Sequence, residues 1–175
     1  LTDDDMATLG VILRTGPGLP RLRQLHLRGN RLGDAGVQAF CEGLGRSATR
    51  SLFWLDLADN EFGPAGAEAL AAALRRGAMP NLEALFLSVN PIGNQGVAAL
   101  AAPLRKLPAL KKLDLRQCKI GDEGVASLVA NLGKDDFKML ASLWLLENIM
   151  TDTSSTALVS ALDGTGFPSI AYLLW

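Results

Sequence analysis

Leu52-Phe53-Trp54-Leu55-Asp56-Leu57-Ala58-Asp59-Asn60 decides the fold, because it recurs. The same frame reads LRQLHLRGN from Leu22 to Asn30, LEALFLSVN from Leu82 to Asn90, LKKLDLRQC from Leu110 to Cys118 and LASLWLLEN from Leu140 to Asn148. A sixth copy, IAYLLW, runs from Ile170 to Trp175. The copies begin at residues 22, 52, 82, 110, 140 and 170, spaced by 30, 30, 28, 30 and 30 residues. A fixed period of this length marks a solenoid of stacked supersecondary units.

The second half of each period recurs as well. Leu32-Gly33-Asp34-Ala35-Gly36-Val37 matches FGPAGA at 62–67, IGNQGV at 92–97 and IGDEGV at 120–125. Apolar residues follow at helical spacing: Phe40 and Leu44, Leu70 and Leu74, Leu100 and Leu104, Leu128 and Leu132, Leu158 and Leu162. Leu1, Leu9 and Leu13 occupy the same offsets at the start. The first half alternates apolar and variable residues, the period of a half-buried strand. The second half carries one apolar stripe, the pattern of an amphipathic helix. Helix N-caps are predicted at Gly33, Gly63, Gly93 and Gly121, with Thr151 in the fifth repeat. Pro64 then falls at the first helical position, and Asp34 and Asp122 meet the positive end of their own helix dipoles.

Strands pack about 4.8 Å apart, whereas helices need about 8–10 Å. A stack of strand–helix units therefore curves, with a parallel sheet on the concave wall and helices on the convex one. The expected class is α/β. Residues 1–175 form one such domain, about five full repeats with partial repeats at both ends, and the mid-repeat ends suggest a piece of a longer protein.

The pattern LxxLxLxxNxLGDxGxxxLxxxL resembles the ribonuclease-inhibitor type of leucine-rich repeat. That type is shared with the repeat domains of Nod-like receptors and Ran GTPase-activating proteins. The resemblance implies a horseshoe scaffold that binds proteins. It also implies that the Asn column (Asn30, Asn60, Asn90 and Asn148) points inward to the turn after each strand. Backbone groups in that turn would otherwise be buried unpaired. Cys118, small and half-apolar, replaces Asn once.

The positions between the strand leucines face the concave side. One column is Gln24, Trp54, Ala84, Lys112, Ser142 and Tyr172. The next is His26, Asp56, Phe86, Asp114, Trp144 and Leu174. A third, at the strand ends, is Arg28, Ala58, Ser88, Arg116 and Leu146. Aromatic residues and arginine are the side chains that interface hot spots use. The expected partner-binding residues are therefore Trp54, Asp56, Phe86, Lys112, Asp114, Arg116, Trp144 and Tyr172. Trp54 with Phe86 is expected to form one patch, and Trp144 with Tyr172 a second. Trp175 falls on a leucine column and is expected in the core.

The rest of the chain narrows the function by what it lacks. Net charge is −1, which argues against a broad nucleic-acid surface. No apolar run reaches the ~20 residues of a membrane helix. Two isolated cysteines, Cys41 and Cys118, fit a reducing, cytoplasmic setting without a disulfide framework. His26 is the one histidine, with no nucleophile–base arrangement assignable to it. No phosphate loop or metal-ligand spacing appears, so neither a cofactor nor an enzymatic activity is expected. Arg75, Arg76, Arg105, Lys106, Lys111 and Lys112 read as a solvated face. The expected function is a protein–protein interaction scaffold, within a larger assembly, working through its concave sheet. A small-GTPase regulator and the sensing region of a Nod-like receptor are the alternatives.

Overall fold

The structure, a computed structural model, describes residues 1–45, 48–130, 132–133, 135–164 and 172–174, with the backbone course alone from residue 162 onward. Helices and strands alternate along the chain: α1 (Asp3–Thr15), β1 (Gln24–His26), α2 (Asp34–Gly43), β2 (Trp54–Asp56), α3 (Pro64–Arg75), β3 (Ala84–Phe86), α4 (Gly93–Arg105), β4 (Lys112–Asp114), α5 (Asp122–Val129), β5 (Ser142–Trp144), α6 (Asp152–Gly164) and β6 (Tyr172–Leu174). The six strands form one parallel sheet in sequence order. Register follows the repeat alignment residue for residue: Gln24 pairs Trp54, Trp54 pairs Ala84, Ala84 pairs Lys112, Lys112 pairs Ser142 and Ser142 pairs Tyr172. Each helix packs on the next, so the fold is an α/β leucine-rich-repeat solenoid with a strand wall and a helix wall.

The core lies between the walls. Leu57, Leu87 and Leu115 are fully buried from the strand side, and Phe40, Leu70, Leu100, Leu128 and Leu158 meet them from the helices. Burial of a leucine is worth about 1.5–3 kcal/mol, and stacking makes that burial continuous from repeat to repeat. Leu162 and Trp175 lie outside the described side chains.

The helix starts reveal a device that works between repeats. Asp34 directs its hydrogen bonds to the following helix, not to the one it opens. Its Oδ1 accepts from the N–H groups of Gly63 and Gly66 in the following repeat, both at 2.7 Å. Asp3 accepts from Gly33 N, Asn94 from Gly121 N, and Asp122 from Thr151 N. These side chains satisfy the orphan donors at the next helix start. A Cβ at Gly66 would sit 2.9 Å from Asp34 Oδ1 and 3.0 Å from Phe62 Cβ, so a larger residue there would displace this carboxylate.

The Asn column points inward to the turns as the resemblance implied, although Asn90 donates from Nδ2 while its buried Oδ1 has no partner among the described residues. Asn60 Nδ2 donates to the carbonyls of Leu27, Leu57 and Ala58, and its Oδ1 accepts from Leu32 N. Asn148 does the same for Leu115 and Leu145, accepting from Cys118 N and Ile120 N. Cys118 supplies the donor half only: its Sγ lies 3.3 Å from Leu87 O and 3.4 Å from Arg116 O. Burial pushes its thiol up to about 12, as it does that of Cys41.

The missing acceptor at Cys118 explains a departure from the predicted caps. Ile92 N, which an Asn at 118 would engage, turns instead to Asn90 O at 2.8 Å. Pro64 stands where the other repeats carry an acceptor for the next helix. With neither support, α4 begins at Gly93 itself, and Ile92 takes the cap position. Gly93 has φ +64, a left-handed conformation that glycine adopts without steric cost. The caps at Gly33, Gly63 and Gly121 are as predicted.

Candidate functional site

The side chains at the two variable positions of each three-residue strand form rows across the sheet. Trp54 opens β2 and Phe86 closes β3, so they are diagonal neighbours; their ring centroids lie 4.7 Å apart. Trp144 closes β5 and stacks toward Phe86 at 6.3 Å and 21°. His26 closes β1, 6.1 Å from Trp54. The result is one run of four rings from β1 to β5. The expectation of two patches is thereby corrected for Trp144. Asp114, which stands between Phe86 and Trp144 in register, is buried, and the two rings approach across it. Tyr172 pairs with Ser142 in register, but its side chain falls outside the described residues.

Trp54, Phe86 and Trp144 are half-buried, His26 is exposed, and none of the four lies on a core column. The Trp54 indole Nε1 is buried without a hydrogen-bond partner. Such an unmade bond costs about 1–3 kcal/mol. Lys112 Nζ stands 5.8 Å from the Trp54 centroid, within cation–π range.

Charges around the rings are held by neighbours. Asp114 is 1% exposed and accepts a bidentate pair from Arg116, from Nε at 2.9 Å and Nη2 at 2.6 Å. The hydrogen bond to Asp114 raises the Arg116 pKa, so this guanidinium stays charged. Arg116 itself is exposed. Asp114 thus fixes Arg116, and Arg116 presents the charge. Asp56 is half-buried beside Phe86 in register, and its Oδ1 accepts from Ala58 N at 3.0 Å.

The helix wall differs in kind. A groove between α2 and α3 is walled by Gln38, Glu42, Glu68 and Arg75 with alanines between, and no aromatic residue lines it. Among the described residues, no group of His, Cys, Asp or Glu could hold a metal ion. No helix among them is long and apolar enough to cross a membrane.

A family model described as Leucine Rich repeat matches residues 19–41, 55–71, 78–101 and 106–129, half of the chain. The chain belongs to the leucine-rich repeat family. Among solved structures, this leucine-rich repeat chain is similar to the tropomodulin C-terminal domain of Caenorhabditis elegans, with 12% identity, TM-score 0.65, and 92% and 93% of the two chains covered. It is also similar to actin-binding site 2 of leiomodin-1, with 18% identity, TM-score 0.61, and 92% and 90% covered. At these identities the likeness is one of fold. No curated protein matches the sequence.

One feature escaped the reading of the sequence. Residues 14–33 hold five arginines, Arg14, Arg21, Arg23, Arg28 and Arg31, and no acidic residue. Each occupies a different position of the repeat, so alignment by columns scatters them.

Proposed function

We propose that this protein is an interaction scaffold that binds a protein partner through the strand wall, and that it binds rather than catalyses. The observation that carries this reading is the ring run His26–Trp54–Phe86–Trp144. Large aromatic residues on a half-exposed sheet face, with fixed charges beside them, are the anchors of protein interfaces. Trp54, Phe86 and Trp144 anchor the partner. Lys112, Arg116 and Asp56 orient it and reject wrong partners. Tyr172 extends the face toward β6 by its position in the register. The likeness to leiomodin-1's actin-binding site supports protein recognition on this fold and names no partner for this chain.

The repeat pattern further supports membership of the ribonuclease-inhibitor type. We also read the protein as cytoplasmic, on the support of two buried, unbridged thiols.

The test is comparative capture from cells. Wild-type chain, a Trp54→Ala/Trp144→Ala variant and a Glu42→Ala/Glu68→Ala variant serve as baits. The expected result is a protein retained by the wild type and the helix-wall variant and lost by the tryptophan variant. A protein retained by the tryptophan variant and lost by the helix-wall variant would overturn the reading.

A further inference from the structure

Among the described residues, several cations along this solenoid are held by neighbours. Lys106 bridges Asp136, Lys111 bridges Glu83, and Arg116 is held by Asp114. Arg105 bonds to Ala130 O, and Arg76 to Cys41 O. The first strand repeat holds the densest run of cations that lack such a partner. Arg21, Arg23, Arg28 and Arg31 are all exposed, and among the described residues none of them forms an ion pair or a side-chain hydrogen bond. Arg21 and Arg23 precede β1, and Arg28 and Arg31 follow it. Between them lie Gln24 and the exposed His26, whose ring begins the aromatic run. A dense cluster of one sign within a chain of net charge −1 is a local field, not a general property of the surface.

We propose that this end of the sheet recognises an acidic segment of the protein partner, its carboxylates on the arginines and an adjoining apolar side chain on Trp54 and Phe86. The proposal rests on the strand-wall reading above and adds the chemistry of what binds there. Arginine suits carboxylates because its planar fork donates two parallel hydrogen bonds, and exposed, unpaired guanidinium groups need not break a native pair first. The geometry suits a linear segment. From His26 on β1 to Trp144 on β5 are four strand spacings, roughly 19 Å, which roughly six residues of extended chain would span. A long polyanion fits less well, because Asp56 and Asp59 on the next repeat oppose it as soon as it leaves β1.

The experiment uses the whole chain and a display library of random peptides about a dozen residues long. Enriched peptides are synthesised and titrated against wild type, Arg21→Glu/Arg23→Glu/Arg28→Glu/Arg31→Glu, the matching Gln variant and Trp54→Ala. All four arginines are exposed, and circular dichroism checks each fold. We expect enriched peptides to pair two or more Asp or Glu with a large apolar residue. Binding should fall at least about tenfold in the Glu variant, several-fold in the Gln variant, and steeply between about 0.1 M and 1 M salt, where the screening length shrinks from about 10 Å to about 3 Å. Acidic peptides that need the arginines but ignore Trp54→Ala would uphold the arginine site and sink the aromatic anchor. Peptides without acids, lost on Trp54→Ala and indifferent to the arginines, would overturn this proposal and leave the strand-wall reading standing. No enrichment would overturn it too. So would displacement of the peptide by a single-stranded oligonucleotide or by phosphatidylserine vesicles more readily than by a second acidic peptide.

Discussion

Asp34→Ala separates two accounts of the acidic residue at the helix start. If Asp34 serves its own helix through the dipole, its loss costs about 0.3–1 kcal/mol, and Asn is as poor a replacement as Ala. If it caps the following helix, two short hydrogen bonds disappear. Gly63 N and Gly66 N, each 2.7 Å from Asp34 Oδ1, are on buried residues, the N-cap and the first turn of α3. α3 has no side-chain cap of its own. Loss of a capping Asp costs about 0.5–2 kcal/mol, and two donors on one oxygen place this case at the upper end, about 2 kcal/mol. With a urea m-value of about 2 kcal/mol/M, the unfolding midpoint should fall by about 1 M, and Asp34→Asn should recover most of it. Hydrogen exchange locates the effect: the first amides of α3 should lose protection while those of α2 keep theirs. A midpoint shift under about 0.2 M, or deprotection confined to α2, would refute capping between repeats.

Leu87→Ala should destabilise by about 2–5 kcal/mol, read from denaturant unfolding, because Leu87 is fully buried between both walls. Gly93→Ala should cost about 1 kcal/mol for a left-handed backbone. Cys118→Asn should stabilise by about 1 kcal/mol by giving Ile92 N its acceptor, and a double-mutant cycle should show the two sites coupled. Acid should destabilise through three carboxylates held below their ordinary 3.8. Thr2's backbone and hydroxyl bonds lower Asp5, and bonds from Ser154 and Thr151 lower Asp122. For Asp136, burial pushes upward but Lys106 and Gly133 N outweigh it. Groups with depressed folded values contribute above the unfolded value and lose that contribution as pH falls through the folded one. The melting temperature should therefore drop as pH falls below about 3.8, and less steeply in Asp136→Asn.

What could be read from residues alone was whatever repeats in place. Leu57, Leu87 and Leu115 share a column, so their burial and the sheet register followed from alignment. Trp54 and Phe86 could be placed as neighbours on the same ground. What could not be read depends on a partner one repeat away. Asp34 sits beside its own helix in sequence, and only three dimensions bring it to Gly63. Cys118 looks like a tolerated substitution in its own repeat, yet its effect falls on Gly93 in the repeat before. Trp144 joins Phe86 because Asp114 is buried between them, a matter of side-chain packing that periodicity does not carry. The turn before the Asn column is left-handed in all five strand repeats, at Gly29, Asp59, Val89, Gln117 and Glu147, but only Gly29 signals it by residue type.

The central claim is that recognition resides on the strand wall. Its most direct test is isothermal titration of a captured partner into the wild-type chain and two variants. Trp54→Ala/Trp144→Ala should weaken binding at least about tenfold, about 1.4 kcal/mol, with the melting temperature unchanged, since neither ring belongs to a core column. Glu42→Ala/Glu68→Ala should leave the affinity within about twofold. Unaltered affinity in the tryptophan variant together with loss in the helix-wall variant would contradict the account and put the binding face on the helices.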